Sequence, residues 1–331
     1  MLPKGRSEFP KSVRIGSSGQ ISDHVSRCLQ LAILLEVSAY PKPGNVHRTA
    51  DFLETRYEHF LASAVAVAPH LREAAERGTN VSTENITLDR INVGKIIRDS
   101  VSDVVVWQRD RNTLLGSITL LAPIAAAAGL TMANRQSFSV DALRRNLKSV
   151  VEATTPKDAV NFYDAIAIAK PGGLGKAPKL DVNDKASKQQ ILAQGTSLYE
   201  IFMISSSWDS IAAEWTSNFH NTFDIGYPFF KAQIDKSGDV NTASVHTFLK
   251  ILSLVPDTLI ARKAGRQKAE WVSREAGKVL DAGGLATRHG KDGLRELDRE
   301  LHDTRHKLNP GTTADITSAV LAVAILEGFR P

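Results

Sequence analysis

Apolar residues along this chain recur at helical spacing rather than in strict alternation. Val25, Leu29, Ala32, Ile33 and Leu35 trace one helix, which must end before Tyr40-Pro41. A second is predicted over about 56–77, opened by Thr55-x-x-Glu58 as a capping box and closed at Gly78. A third covers 88–107, with Ile96, Ile97, Val101, Val104 and Val105 on one side. The run 113–130 approaches the length of a membrane span. Its Gly116, Ser117, Thr119, Pro123 and weakly apolar alanines predict a buried core helix instead. Ser139 and Thr155-Pro156 open two more helices, the second stopping at Pro171-Gly172-Gly173. Segments at about 187–218, 240–255, 264–281, 290–306 and 312–328 complete the set. No β alternation, repeat or heptad array stands out. The pattern predicts an all-α fold: one multi-helix, bundle-like domain over residues 21–331, with its chemistry on polar loops. Residues 1–20 are polar and basic, and are expected to form a disordered tail rather than a signal peptide or anchor.

Composition narrows the function classes. With 331 residues and 42% hydrophobic content, the chain can bury a core without staples. Cys28 is the only cysteine, which excludes an intramolecular disulfide or a thiolate metal cage and suits a reducing cytoplasm. The formal net charge of +5 suits phosphate-bearing small molecules. Basic residues are spread along the chain and aromatics are only 6%, so no nucleic-acid platform is expected, and no membrane partner either. The nine histidines form no H-E-x-x-H pattern, and neither a nucleophile elbow nor a dinucleotide fingerprint occurs.

Five polar segments carry candidate chemistry. In Glu36-Val-Ser-Ala-Tyr-Pro-Lys-Pro-Gly-Asn-Val-His47, two prolines stiffen a loop and Gly44 permits positive φ. Lys42 is thereby presented as a point charge for phosphate, or simply as a solvated lysine on a helix-breaking turn. Arg109-Asp-Arg-Asn-Thr113 precedes an apolar helix. Arg111, Asn112 and Thr113 there offer either an anion site or plain capping. Lys170-Pro-Gly-Gly-Leu-Gly-Lys176 is glycine-rich but lacks the Walker spacing. In Pro256-Asp-Thr-Leu-Ile-Ala-Arg-Lys263, Thr258 and Arg262 share a helical face while Asp257 sits in the first turn. That arrangement suits magnesium and polyphosphate, or a dipole pairing with a surface ion pair. Asn309-Pro-Gly-Thr-Thr-Ala-Asp315 opens the last helix, through Asn309 as cap or Thr312 paired with Asp315. Asp315 is also a candidate metal ligand or general base.

Taken in order, EVSAYPKPGNV, NTLLG, KPGGLG, PDTLIARK and NPGTTADIT resemble the ATP:dephospho-CoA triphosphoribosyl transferases. HRTADFLETRYEHFLASAV is similar to the archaeal-type branch, and the likeness spans roughly 22–329. The resemblance implies ATP and a 3′-dephospho-CoA-like acceptor as substrates. Adenine would be released, and the triphosphoribosyl group attached to an acceptor ribose hydroxyl. Such a glycosyl transfer needs cations and Mg²⁺ on the triphosphate, a base for the hydroxyl and a proton for adenine. Residue chemistry then places Lys42, Gly44, Arg111, Asn112, Thr113, Thr258 and Arg262 around the nucleotide, and Asp257 and Asp315 on magnesium. Glu36, Asp51, Glu54 and Asp315 are the candidate bases. Two stretches depart from the better-studied branch: Thr49–Thr55, where Glu54 stands in for an aspartate, and Asn221–Gly226. They leave open another acceptor, as in pterin-coenzyme biosynthesis, or a hydrolase; a non-enzymatic helical partner protein and a homo-oligomer also remain compatible with the sequence.

Overall fold

The computed structural model describes residues 17–108, 113–134, 138–302 and 306–331. Ser17 opens α1 (Ser18–Ser38) through a reciprocal capping box with Gln20, so the helix takes in the last residues of the expected tail. Residues 1–16 lie outside the described residues. The predicted helix over 56–77 is two: α2 (Tyr57–Ala66) and α3 (Ala68–Ser82). Pro69 lies in the first turn of α3, where it cannot donate to the Val65 carbonyl, and the ladder breaks at Val67. The Thr55–Glu58 capping box does not form. The Arg56 N–H donates to His59 Nδ1 (3.0 Å), and the Tyr57 N–H to Asp51 Oδ1 (2.8 Å).

The predicted third helix also divides, into a 3₁₀ turn at Leu88–Arg90 and α4 (Val93–Trp107), with Asn92 left-handed between them at φ 58°. Then come α5 (Leu115–Ala133), α6 (Val140–Glu152), capped by Ser139, and α7 (Pro156–Ala169), capped by Thr155. The stretch 187–218 is three short helices: α8 (Ser187–Gln194), α9 (Leu198–Ser205) and α10 (Ser210–Thr216). A π-helical turn, Asn221–Gly226, and α11 (Tyr227–Ser237) follow, both unforeseen. Buried Glu214 explains the π turn, since its carboxylate accepts the N–H groups of Asn221 (2.9 Å) and Thr222 (3.0 Å). The chain finishes with α12 (Val240–Leu254), α13 (Thr258–Ala264), α14 (Arg266–Asp281), α15 (Arg288–Leu301) and α16 (Gly311–Glu327).

The fold is all-α, a single helical domain, with no strand among the described residues. The main core gathers α1, α3, α4, α5, α7 and α16 around the alanine run of α5. Although α5 is long and apolar enough to cross a membrane, it is mostly buried within the protein. Pro123 sits inside it and cannot bond the Thr119 carbonyl one turn back; the indole Nε1 of buried Trp215 donates to that oxygen instead (3.1 Å). A second apolar cluster joins α12, α14 and α15. The polar residues of the PKPG loop and the start of α16 lie along the line where the two clusters meet.

Candidate active site

Glu36 occupies the last turn of α1 and is buried. Beyond it, Asn241 grips the Tyr40 backbone from both sides, accepting its N–H (2.9 Å) and donating to its carbonyl (2.8 Å). The loop then turns inward. Lys42 is not presented to solvent, as its flanking prolines suggested; it is fully buried and paired with Glu36, 6.0 Å from the centre of the Phe248 ring. Burial pushes Glu36 up and Lys42 down, toward their neutral forms, and their mutual contact opposes both shifts. Gly44, at φ 69°, gives its N–H to Asp298 (3.0 Å), and any Cβ there would overlap Leu301. Asn45 Nδ2 then reaches Asn309 Oδ1 at 3.0 Å, which joins the first motif to the fifth.

At that fifth motif neither predicted capping arrangement of α16 forms. Asp257, from the fourth motif, is the cap: its Oδ2 accepts the Thr313 N–H (2.7 Å) and hydroxyl (2.8 Å). Its Oδ1 accepts the N–H groups of Leu259 (2.9 Å) and Ile260 (3.1 Å), so one buried carboxylate caps both α13 and α16. Burial pushes its pKa up, while these donors act against the shift. Asp257 is therefore already saturated by the protein.

Asp315, on the next part of the same turn, differs. Ser117, just after the LLG segment, donates its hydroxyl to Asp315 Oδ1 (2.6 Å). The residue is half-buried. Loss of hydration pushes its pKa to about 8, opposed by Ser117 and reinforced by the charges of Glu36 and Asp257. A side chain on Gly116 would overlap this carboxylate, so glycine is what lets it lie there. Lys42 also feels the Asp315 charge. Glu36, Lys42 and Asp315 thus form one coupled cluster (two carboxylates about one ammonium), with Asp257 bordering it.

At the rim, Thr258 Oγ1 accepts the Ser210 N–H (3.2 Å) and stands 3.3 Å from Thr312 Oγ1. Arg262 is bonded to Asp209 (2.8 Å), and the Gly173 loop of the third motif lies alongside it. All five motifs thus contribute to one neighbourhood. Some candidates stand apart. Thr113 bonds Gln108 (2.7 Å) and Ser63 (2.9 Å) under α2, Asp51 caps α2, and Glu54 is exposed. Arg111 and Asn112 lie outside the described residues. Sequence reasoning missed Ser117, Asn45, Asp209 and Asp298. For Ser117 the one signal was a hydroxyl in an apolar run. Among the described residues, no three metal-capable side chains converge.

Known proteins share this architecture. A 2-(5''-triphosphoribosyl)-3'-dephosphocoenzyme-A synthase of Klebsiella pneumoniae is 23% identical over 300 residues, which is 89% of this chain and 88% of that one. A crystal structure from Archaeoglobus fulgidus, provisionally assigned as a triphosphoribosyl-dephospho-CoA synthase, superposes with a TM-score of 0.59 at 22% identity. It covers 82% of this chain and 100% of its own, and shows the shared fold. The family model for ATP:dephospho-CoA triphosphoribosyl transferase (CitG) matches residues 22–330, nearly the whole chain, and the protein belongs to that family.

Proposed function

We propose that the Glu36–Lys42–Asp315 cluster is the reaction centre for the family's transfer from ATP to dephospho-CoA, with Asp315 as the general base. In this reaction the C1′–N9 bond of ATP breaks and a bond forms from C1′ to an acceptor ribose oxygen. The hydroxyl proton leaves to a base. Adenine takes the bonding pair and one proton from solvent, so that it departs neutral and the base returns its proton to solvent. The observation that carries the reading is that Asp315 is the cluster's one carboxylate with an accessible edge, and its pKa of about 8 makes it basic enough to take a proton. Ser117 fixes its orientation. Lys42 does not reach out to phosphate; it acts through Glu36 and Asp315 by setting their charge. Arg262 and Thr258, at the rim, are the groups we assign to the triphosphate.

Magnesium fits as a companion of the nucleotide rather than as a resident ion. Mg²⁺ commonly takes one or two carboxylates with phosphate oxygens, and no ready-made cage occurs among the described residues. Asp257 is engaged by backbone donors, Glu36 is buried against Lys42 and Asp315 is assigned to the proton, so the ion would be held chiefly by the triphosphate oxygens it accompanies. Its contribution would be to offset triphosphate charge.

Adenine release from ATP, followed with and without dephospho-CoA, tests the reading. Release that requires dephospho-CoA, with one triphosphoribosylated product per adenine, is expected. Equal release without it would indicate a hydrolase or another acceptor, and would overturn the assignment.

A further inference from the structure

On the outer face of the PKPG loop lies an open cleft of about 440 Å³, lined by Tyr40, His47, Asn241, Lys291, Arg295 and Asp298 among others. It shares the first motif with the reaction centre, through Tyr40, Pro41 and His47, but none of the other four motifs lines it. His47 is almost wholly buried. Its Nδ1 faces the Thr49 N–H (3.3 Å) and therefore acts as acceptor, so in the neutral ring the proton sits on Nε2. That Nε2 makes no hydrogen bond: Asp298 Oδ2 faces it at 3.6 Å, within reach of an ion pair but too far for a hydrogen bond. A buried donor left unpaired beside an open cleft is costly unless an incoming acceptor meets it.

The charges around it say what that acceptor is. Lys291 and Arg295 lie one turn apart on α15 and both project at the surface. Lys291 has no ion-pair partner among the described residues, and Arg295 makes only an exposed pair with Asp292 (3.1 Å). The opposing carboxylate, Asp298, accepts the Gly44 N–H (3.0 Å) and pairs with His302 (3.0 Å) through Oδ1 alone, and its Oδ2 is the oxygen that faces His47; the two cations of α15 outnumber it. Arg48 covers the Tyr40 ring at 3.9 Å, which takes one stacking face away from a base. The lining thus suits a polyphosphate better than a nucleobase.

We propose that this cleft holds the diphosphate of the acceptor, with Lys291, Arg295 and His47 as its donors. The inference rests on the transferase reading above. Acceptor bound here would press on the same loop that seats Lys42, while the ATP triphosphate occupies the Thr258–Arg262 rim.

The test is the double variant Lys291→Ala/Arg295→Ala in the full chain, both positions being exposed on a helix. Calorimetric titration with inorganic pyrophosphate should show at least tenfold weaker binding than in the wild type. In steady state the KM for dephospho-CoA should rise about tenfold, with kcat and the KM for ATP unchanged. Unaltered pyrophosphate affinity would overturn the site. A rise confined to the KM for ATP would overturn its assignment to the acceptor. Because the pyrophosphate titration does not depend on turnover, it stands even where dephospho-CoA proves to be the wrong acceptor. A further variant, His47→Phe, should weaken pyrophosphate binding less than the double variant, having lost one donor while keeping both cations of α15. Equal or greater weakening would contradict the division of labour between the two cations and the imidazole.

Discussion

Asp257 and Asp315 flank the first turns of α16, and burial pushes both upward, yet they are different kinds of residue. Asp257 has two helix starts aimed at it, and each of its oxygens is satisfied by backbone or hydroxyl donors. Asp315 has Ser117 on one oxygen, the space left by Gly116 beside the other, and an accessible edge. The density of N–H donors separates a carboxylate that holds the fold from one free to exchange a proton. Asp158 repeats the first type elsewhere, accepting the N–H of Gly94 (2.9 Å) and of Thr155 (2.8 Å) at the starts of α4 and α7.

Breaking the contrast at Asp315 should have the largest effect. Asp315→Asn keeps the acceptor for Ser117, and at pH 7 replaces a carboxyl that is already largely protonated. Stability should change by less than about 1 kcal/mol in denaturant unfolding. Turnover should fall about 10²- to 10⁴-fold, the usual worth of a general base. Wild-type turnover should rise as the pH passes about 8, and the Asn variant should lose that rise. A preserved rise would remove Asp315 from the base role. The sign for stability is opposite. Because the folded pKa lies above the ordinary 3.8, the contribution of Asp315 is whole below that value and is lost as pH climbs through about 8.

At the capped corner the effect should appear in stability. Asp257→Ala strips the caps from two helices and leaves buried N–H groups unmet, a cost of about 2–4 kcal/mol by chemical denaturation. A loss below about 1 kcal/mol would mean the caps are dispensable. The smallest expected effect sharpens the comparison from the neighbouring segment of chain. Gly116→Ala should cost about 1–3 kcal/mol through overpacking, while lowering kcat about tenfold by displacing the Asp315 carboxylate. An unchanged kcat would show that the position of that carboxylate is not critical.

Much of this architecture was legible in the sequence, and the parts that were not have a common cause. The apolar runs that became α1, α5 and α16 were readable because helical periodicity or continuous burial leaves a strong trace. The break at Val67 was hidden by the unbroken Ala-Val-Ala pattern around it, although Pro69 was available as a sign. The π turn at Asn221–Gly226 depends on Glu214, a carboxylate on the preceding short helix whose hydrogen bonds no periodicity reveals. At the site, the motifs were found but their meeting was not. Lys42 read as a surface lysine because prolines usually mark exposed turns, and its burial follows from Glu36 and Phe248, which the tertiary fold brings to it. Ser117 gave almost no signal, because its meaning comes only from Asp315, far away in the chain.

The proline within α5 bears on how this protein can change by inheritance. Pro123 creates the orphan carbonyl on Thr119, and Trp215 satisfies it. Losing the tryptophan first strands a buried acceptor, whereas losing the proline first restores a backbone donor that competes with the indole. The order of substitution therefore matters. Lineages that replace Pro123 keep Trp215 for its packing against Phe202 alone, while those that keep the proline are held to an indole donor at that position as well.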